Sequence, residues 1–538
     1  MPLHWTIRLL RNPILVLVSW LLLTGLGLAG ASNLNSHLST SLAIPGSQSE
    51  KADAILASHF YENSEGNFTI LYKFGNATNT QIAEYKNRIE VAASVIPTSI
   101  VTQQRALGGV LLASVSTSFP LNKAAPYTKN LREALSQELP GALVSGPPAI
   151  DYDVSPILAS DLRRGEVIAL FIGFLLLVLL LGFSWAAFIP FIFAFTSISV
   201  ALGIIYLLAQ KFLMVLYIPN IVELIGLGLA IDYSLLIVHR YRRELLDDST
   251  LSIEVAISKT MKSAGRTVFI SGMTVSIALA TLLLVPVPFI RSLGAAGILV
   301  PLIAILNSFT LLPVLLYLLG RKGIAAYKFG GLLTQRDVMK GFWARSARFS
   351  TRNPLATFLA SLATLLVLAT SVIWLQVTPS SLTAIPSYLE SARVLTIATE
   401  KIGSGVITPH VVVVDLGAPG LAISPDVNNA RLNLANKLLK NPEAYIVASD
   451  ISPSFVDPTG QYLRMYIVGR HTLGSDEANE FVRQLREIYI PSASFSDETT
   501  IYLGGAPAQG LDLINALARS IPWILGIDRA RALIRSNP

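Results

Sequence analysis

The clearest candidates for chemistry lie in the run Gly226-Leu227-Gly228-Leu229-Ala230-Ile231-Asp232-Tyr233-Ser234. An ionisable group inside an apolar span is costly to place there, so its default reading is functional. Asp232 precedes the basic Arg240 by eight residues, a helical rise of about 12 Å that keeps it away from water. A carboxyl group at that depth is suited to taking up and releasing protons in the physiological range. Tyr233 offers an O–H that can donate to a carboxylate on a neighbouring helix. Gly228 sits one turn before Asp232 on the same face, and with Gly226 it leaves room for another helix to approach. In the next apolar stretch Ser271 and Thr274 share a face and either bond across to Asp232 or satisfy carbonyls of their own helix. Asp232 is therefore the candidate proton carrier, with Tyr233 beside it. A buried acid that only fixes helix packing is the plainer alternative. Glu223, nine residues before Asp232, falls on the opposite face near the outer surface, so the two acids form no dyad.

Elements able to hold such a relay are abundant. The 538 residues are 52% hydrophobic and only 14% charged, whereas soluble chains carry about 25% charge. Much of this chain is therefore solvated by lipid. A span needs about 20 apolar residues, and seven segments qualify: 12–30, 166–183, 185–209, 217–238, 267–286, 295–319 and 354–376. The first follows Arg8 and Arg11 like a signal peptide, but its apolar run is long and its opening recurs before the seventh span, so it reads as a retained anchor. Two loops are rich in Lys and Arg, one from Arg240 to Arg266 and one from Arg321 to Arg352. Both fall on one side if the N-terminus is cytoplasmic. Arg163 and Arg164 are exceptions that can snorkel to headgroups. The net charge of +7 thus reflects topology, and no nucleic-acid partner is expected. With no cysteine, disulfides and thiolate metal sites are excluded. No Walker loop is present, and His37, His59, His410 and His471 are scattered, so no metal, cofactor or enzymatic activity is expected.

The remaining chain divides accordingly. Residues 1–30 form the first transmembrane helix and 31–163 an extracytoplasmic domain. Residues 164–320 form a five-helix bundle, 321–353 a basic linker and 354–376 a seventh helix. A second extracytoplasmic domain covers 377–509, and an aborted eighth span with its tail covers 510–538. In the first soluble segment strand-like Asn67–Lys73, Gly109–Thr117 and Gly141–Ser145 alternate with helical Thr80–Ala93 and Ala124–Glu138. In the second, strand-like Thr408–Val414, Leu463–Val468 and Thr500–Leu503 alternate with helical Val427–Lys440 and Asp476–Glu487. That order suits a split βαβ, ferredoxin-like unit in each. Asn67-Phe68-Thr69 and Asn76-Ala77-Thr78 are glycosylation sequons in the first segment. Tyr327–Thr351, basic with interspersed aromatics, suits an amphipathic helix on the inner membrane surface.

The halves echo each other. Arg11-Asn12-Pro13 opens the first span and Arg352-Asn353-Pro354 the seventh. Gly146-Pro147-Pro148-Ala149 with Asp153 closes the first soluble segment, and Gly505-Ala506-Pro507-Ala508 with Asp512 the second. Parallel repeats are an established transporter device. After the second soluble segment, however, Leu511–Ile527 runs into Asp528, Arg529, Arg531 and Arg535, too much charge for an ordinary span. A second membrane bundle is therefore expected to be largely missing, and the chain to be truncated.

The ordered set Gly226 to Tyr233, Arg240-Tyr241-Arg242-Arg243-Glu244-Leu245, Ala264-Gly265-Arg266-Thr267, Ser271-Gly272, Pro288 to Gly294 and Leu311-Leu312-Pro313 resembles the MMPL branch of the RND superfamily. The resemblance covers the chain to about residue 527. It implies a polytopic α-helical membrane protein of RND-like fold with two α+β porter-type domains, set in the plasma membrane. It also implies export of lipids or other hydrophobic molecules driven by protons, with Asp232 and Tyr233 facing a second such pair that this chain does not contain. A separately encoded second half, or a second copy of the chain, would supply it. The resemblance adds Ser271 as a relay hydroxyl, so that Asp232, Tyr233 and Ser271 are the relay it implies. The five-span block further resembles sterol-sensing domains, which makes a lipid or sterol sensor without pumping one alternative and an inactive fragment another.

Overall fold

The computed structural model describes residues 9–39, 43–324, 342–371 and 385–524, apart from residues 64, 76, 182, 183, 249 and 472. In chain order the main elements begin with helix α1 (Pro13–Leu34), β1 (Leu38–Ser39), α2 (Gln48–His59), β2 (Phe68–Lys73), α3 (Asn79–Ala93), β3 (Ile100–Leu107) and β4 (Val110–Ser116). They continue with α4 (Tyr127–Glu138), β5 (Leu143–Ser145), α5 (Pro147–Leu181), α6 (Ile189–Ala209), β6 (Met214–Val215), α7 (Ile218–Asp247), α8 (Ile253–Thr260) and α9 (Arg266–Ala280). Then come α10 (Pro288–Ile324), α11 (Phe342–Arg352), α12 (Pro354–Ala369), α13 (Glu390–Lys401), β7 (His410–Asp415) and α14 (Pro425–Leu438). The described part ends with β8 (Ala444–Ala448), β9 (Tyr462–Gly469), α15 (Asp476–Gln484), β10 (Thr500–Gly504) and α16 (Ala506–Ile524). These elements fall into a helical unit, drawn from residues 1–39, 163–284 and 289–377, and an α/β unit, drawn from 40–162, 285–288 and 378–538.

In the helical unit five helices are long and apolar enough to cross a membrane: Pro13–His37, Trp185–Ala209, Ile218–Asp247, Ile253–Leu284 and Pro288–Arg321. A helix pair bent by 105°, Ala344–Arg352 and Pro354–Ala369, raises the number among the described residues to six if the pair is counted as one span. The expected span 166–183 corresponds to the apolar end of α5. The helix that carries the expected span 267–286 begins well before it. A π-helical turn at Met261–Gly265 joins α8 to α9, so the helix runs through Arg266 without a break. Helix α10 is the most enclosed of the candidate spans. Its Asn307 side chain is fully buried and donates to the Phe193 carbonyl (3.3 Å), Thr196 Oγ1 (2.8 Å) and Ser197 Oγ (2.7 Å) of α6. Thr310, one turn on, accepts from the Trp20 indole of α1 at 2.9 Å. Such bonds are worth about 0.6–2 kcal/mol each between membrane helices, where apolar burial supplies little specificity. Helices α1 and α6 also approach closely through Gly27 and Gly203: a Cβ on Gly27 would lie 2.2 Å from the Ser199 carbonyl oxygen.

The α/β unit contains two four-stranded antiparallel sheets, ordered β3-β4-β2-β5 and β10-β7-β9-β8. In both, the fourth strand of the segment pairs with its first, the first with its third, and the third with its second. Sequence reading found six of these eight strands and missed β3 and β8, the second strand in each half. Both are edge strands, where pairing on one side alone relaxes the demand for apolar side chains. The polar Thr102-Gln103-Gln104-Arg105 stretch of β3 shows the consequence.

Sequence reading also expected two separate domains, and the structure interleaves them. Both faces of each sheet are covered, which is why β7 reads His410-Val411-Val412-Val413-Val414 without alternation. Val412 and Val414 pack with Leu434, Leu438, Phe481 and Val482 of their own half. Val411 and Val413 pack instead against Ala52, Leu56 and Phe60 on and just after α2, from the first half. Reciprocally, Val394, Ile397 and Ala398 of α13 cover Leu71 and Val110 of the first sheet. Two matching clasps hold the exchanged helices. Arg132 grips Asp153 with two bonds (2.7 and 2.8 Å), and Asp153 accepts from the Ser391 backbone N–H of α13 at 3.2 Å. Arg486 grips Asp512 in the same manner (2.6 and 2.9 Å), and Asp512 accepts from Ser49 Oγ of α2 at 2.6 Å. Burial opposes the Asp153 charge, but the Arg132 and Ser391 hydrogen bonds outweigh it and hold the carboxyl below its usual range. The glycines of the repeated motif behave alike too. Gly146 (φ 99°) and Gly505 (φ 86°) are left-handed, and a Cβ on either would sit 2.4 Å from the carbonyl oxygen preceding the first strand of its sheet, Asn67 or Pro409.

A buried ion pair adds to the interlock. Arg464 on β9, 2% exposed, pairs with Glu62, which follows α2 and also accepts from the Tyr466 hydroxyl at 2.8 Å. The guanidinium lies 4.4 Å from the centre of the Phe60 ring. Asn67 donates to Glu62 at 2.9 Å, so this sequon asparagine is engaged in packing. Asn76 and the stretch 325–341 of the basic linker lie outside the described residues, as do residues 372–376 of the seventh span and 525–538 of the tail.

Two outcomes are expected for the full chain in detergent. Arg464→Ala should lower the stability of the α/β unit by about 3–5 kcal/mol because Glu62 is left buried and unpaired, and adding Glu62→Leu to Arg464→Met should restore most of it; unfolding midpoints measure both. Asp53 of α2 has its pKa pushed up to about 6, chiefly by burial and also by Glu62, Glu65 and Glu50, despite a hydrogen bond from Gln509. A carboxyl whose folded pKa is raised loses stability as pH rises through that value. Asp53→Asn should therefore stabilise the unit above pH about 6, by up to about 3 kcal/mol, and leave it unchanged near pH 4. Thermal melts across pH test the sign.

Candidate functional site

Helix α7 starts with Pro219 in its first turn, where the missing N–H costs nothing, and runs for 30 residues to Asp247. Its burial pattern sorts the relay candidates. Gly226, Ala230, Tyr233 and Ser234 face the core of the helical unit. Asn220, Leu224, Gly228, Asp232, Leu236 and His239 form an exposed stripe with a period near four. Asp232 is thus not enclosed by the described helices. It stands on the outer face of α7 with apolar Leu224 and Leu236 as companions on the same stripe.

The two glycines separate for the same reason. A helix turns about 100° per residue, so Gly226 and Gly228 cannot face one neighbour. A Cβ on Gly226 would lie 2.7 Å from Ile198 of α6 and 3.6 Å from Val300 of α10, so this position requires glycine for packing. A Cβ on Gly228 would meet nothing from another helix within 4 Å among the described residues. Gly228 leaves open the face that Asp232 shares.

Tyr233 points the other way, towards α9, and is 4% exposed. Its hydroxyl interacts with Ser271 and feels the Asp232 charge, though Ser271 falls short of strict hydrogen-bond geometry. Gly272 makes that approach possible: a Cβ there would lie 3.2 Å from the Tyr233 hydroxyl and 2.7 Å from Ile305. Thr274 takes the plainer course and donates to the Ile270 carbonyl of its own helix at 2.8 Å. The structure thus brings Tyr233 towards Ser271 of α9, keeps Asp232 next to it in sequence on the outer face of α7, and leaves Thr274 out. Glu223 belongs to a different part of α7, nine residues from Asp232, and is half-buried.

Sequence reasoning missed Asn307 and Gly272 as determinants of this region. The Asn307-Ser308 pair inside an apolar run was a legible signal, since amides in membrane helices are placed to bond across to neighbours. Gly272 carried none, because its importance depends on which side chains meet it.

Comparison with known proteins follows this geometry. A model of the MMPL family matches residues 112–357, a block that includes every relay candidate. The heme uptake protein MmpL11 of Mycobacterium tuberculosis is 29% identical over 324 residues, covering 60% of this chain and 33% of that protein. A putative membrane protein of Streptomyces coelicolor, SCO6666, is 31% identical over 257 residues, covering 47% of this chain and 35% of its own length. The trehalose monomycolate exporter MmpL3 of Mycolicibacterium smegmatis is 30% identical over 250 residues, covering 42% of this chain and 24% of the exporter. The chain spans about a third of the length of the curated relatives it matches first.

The contrast between the glycines is testable. Gly226→Leu should lower the melting temperature of the chain in detergent because Ile198 and α6 must move. Gly228→Leu should leave it within the range of ordinary surface changes.

Proposed function

We propose that this membrane transporter, a member of the MMPL family by its block 112–357, couples proton transfer at Asp232, Tyr233 and Ser271 to the export of lipids or other hydrophobic compounds. One observation carries the proposal: an acid on the exposed stripe of a membrane helix, beside a buried tyrosine whose hydroxyl lies against Gly272, the residue after Ser271. An isolated charge facing lipid costs about 2.5–3.5 kcal/mol or more. A polar partner on that face would offset the cost, and Gly228 leaves space for it. The relatives' names support a hydrophobic or amphiphilic cargo, since one is a heme uptake protein and another a trehalose monomycolate exporter. In this reading a second membrane bundle completes the relay. The N-terminus and the basic loops lie in the cytoplasm, and the two sheets, ordered as in ferredoxin-like folds, act as porter domains outside.

Proteoliposomes with an internal pH dye test the coupling. An imposed pH gradient should drive proton movement that depends on a hydrophobic cargo. Asp232→Asn should abolish it, a loss of at least about a hundredfold, the scale of a lost proton-transfer group, with cargo binding retained. Cargo binding without any proton movement in the unsubstituted protein would instead identify a lipid sensor.

A further inference from the structure

The last described helix pair of the helical unit is L-shaped. Helices α11 and α12 meet at 105°, and the corner is Asn353-Pro354. Proline denies the preceding residue a helical conformation, and Asn353 takes φ −128°, ψ 63°. The same corner recurs at Asn12-Pro13, where Asn12 has identical angles and follows the helical residues Leu9, Leu10 and Arg11. The repeated Arg-Asn-Pro motif therefore places the same backbone corner directly before two apolar helices. Membrane helices tilt by about 20° on average, so a helix turned 105° from one lies close to the plane of the membrane surface.

The chemistry of α11 fits that plane. Arg345, Arg348 and Arg352 fall three and seven residues apart and so share one flank. All three are exposed, as is Arg11 in the equivalent corner. No acidic residue occurs in the eleven residues of α11, which carry three positive charges. Phe349, 62% exposed, stands one turn after Arg345 at the edge of the arginine flank. An aromatic ring beside cations is the composition of helices that rest at headgroup depth. Guanidinium groups match phosphate oxygens with two parallel hydrogen bonds.

We propose that α11 is a membrane-surface helix that docks on anionic phospholipid headgroups through Arg345, Arg348 and Arg352. Charge complementarity selects this occupant over a zwitterionic surface. The proposal requires only that α12 crosses the membrane, and it is independent of the proton relay.

The chain has no cysteine, so a single one introduced at Ser346, Ala347, Phe349 or Ser350 can carry a nitroxide in the full-length protein. The labelled proteins are placed in nanodiscs of phosphatidylcholine alone or mixed with phosphatidylglycerol, and collision with oxygen and with a nickel chelate is measured. The expected result is headgroup depth varying with helical period in the mixed discs. Replacing the arginines with glutamine should weaken docking about fivefold per residue, and replacing all three with lysine should preserve most of it. Depth indifferent to phosphatidylglycerol, or unchanged by the glutamine variant, overturns the proposal. So does a uniformly low collision rate with both reagents, which would place α11 against protein.

Discussion

Each four-stranded sheet of the α/β unit presents two apolar faces, and its own stretch of chain supplies helices for only one. That imbalance organises the unit. Helices α2 and α13 each leave their own half to cover the sheet of the other, and burial of Leu56 and Phe60 on one side and Val394 and Ile397 on the other supplies the apolar drive. Apolar burial is not directional, so it does not by itself set how far each exchanged helix slides. The clasps do that. Asp153 and Asp512 must meet both a bidentate arginine from their own half and the N-terminal turn of the visiting helix. A carboxylate at a helix N-terminus also meets the positive end of the helix dipole.

The helical unit solves a different problem, because lipid offers no hydrophobic drive for one helix to pack on another. Its solutions are close contact at glycine and hydrogen bonds from buried polar side chains. Gly27, Gly203 and Gly226 bring α1, α6 and α7 together, while Asn307 and Thr310 tie α10 to α6 and α1. Against this enclosed framework the stripe carrying Gly228 and Asp232 stands out as a polar interruption of an outward apolar surface. Tyr233, one residue on, is turned inwards by the same helical geometry, with its hydroxyl towards α9.

Much of this was legible in the residue order. Long apolar runs announced the membrane helices, and the paired markers at Asn12 and Asn353 and at Gly146 and Gly505 announced a repeat. The structure gives those markers a physical content: identical corner angles at the two asparagines and the same steric exclusion of a side chain at the two glycines. Legibility failed where a position owes its role to a distant partner. Edge strands β3 and β8 lacked the apolar pattern of central strands. Helices α2 and α13 went unread because the sheets they cover lie in the opposite half of the chain.

The sequence by itself determined that lipid solvates much of this protein and that two α/β segments repeat, and it singled out Asp232, Tyr233 and Ser271 as relay candidates. Those conclusions rest on the cost of transferring charge into lipid and on periodicity, both local properties of the chain. Only the tertiary structure decided that Asp232 faces outwards while Tyr233 faces in, that Gly226 packs and Gly228 does not, and that the two α/β segments form one interleaved unit. Each of these depends on which surfaces meet. Helix orientation and the exchange of α2 and α13 follow from summed contacts between residues far apart in sequence, as between Ser49 and Asp512 or Glu62 and Arg464.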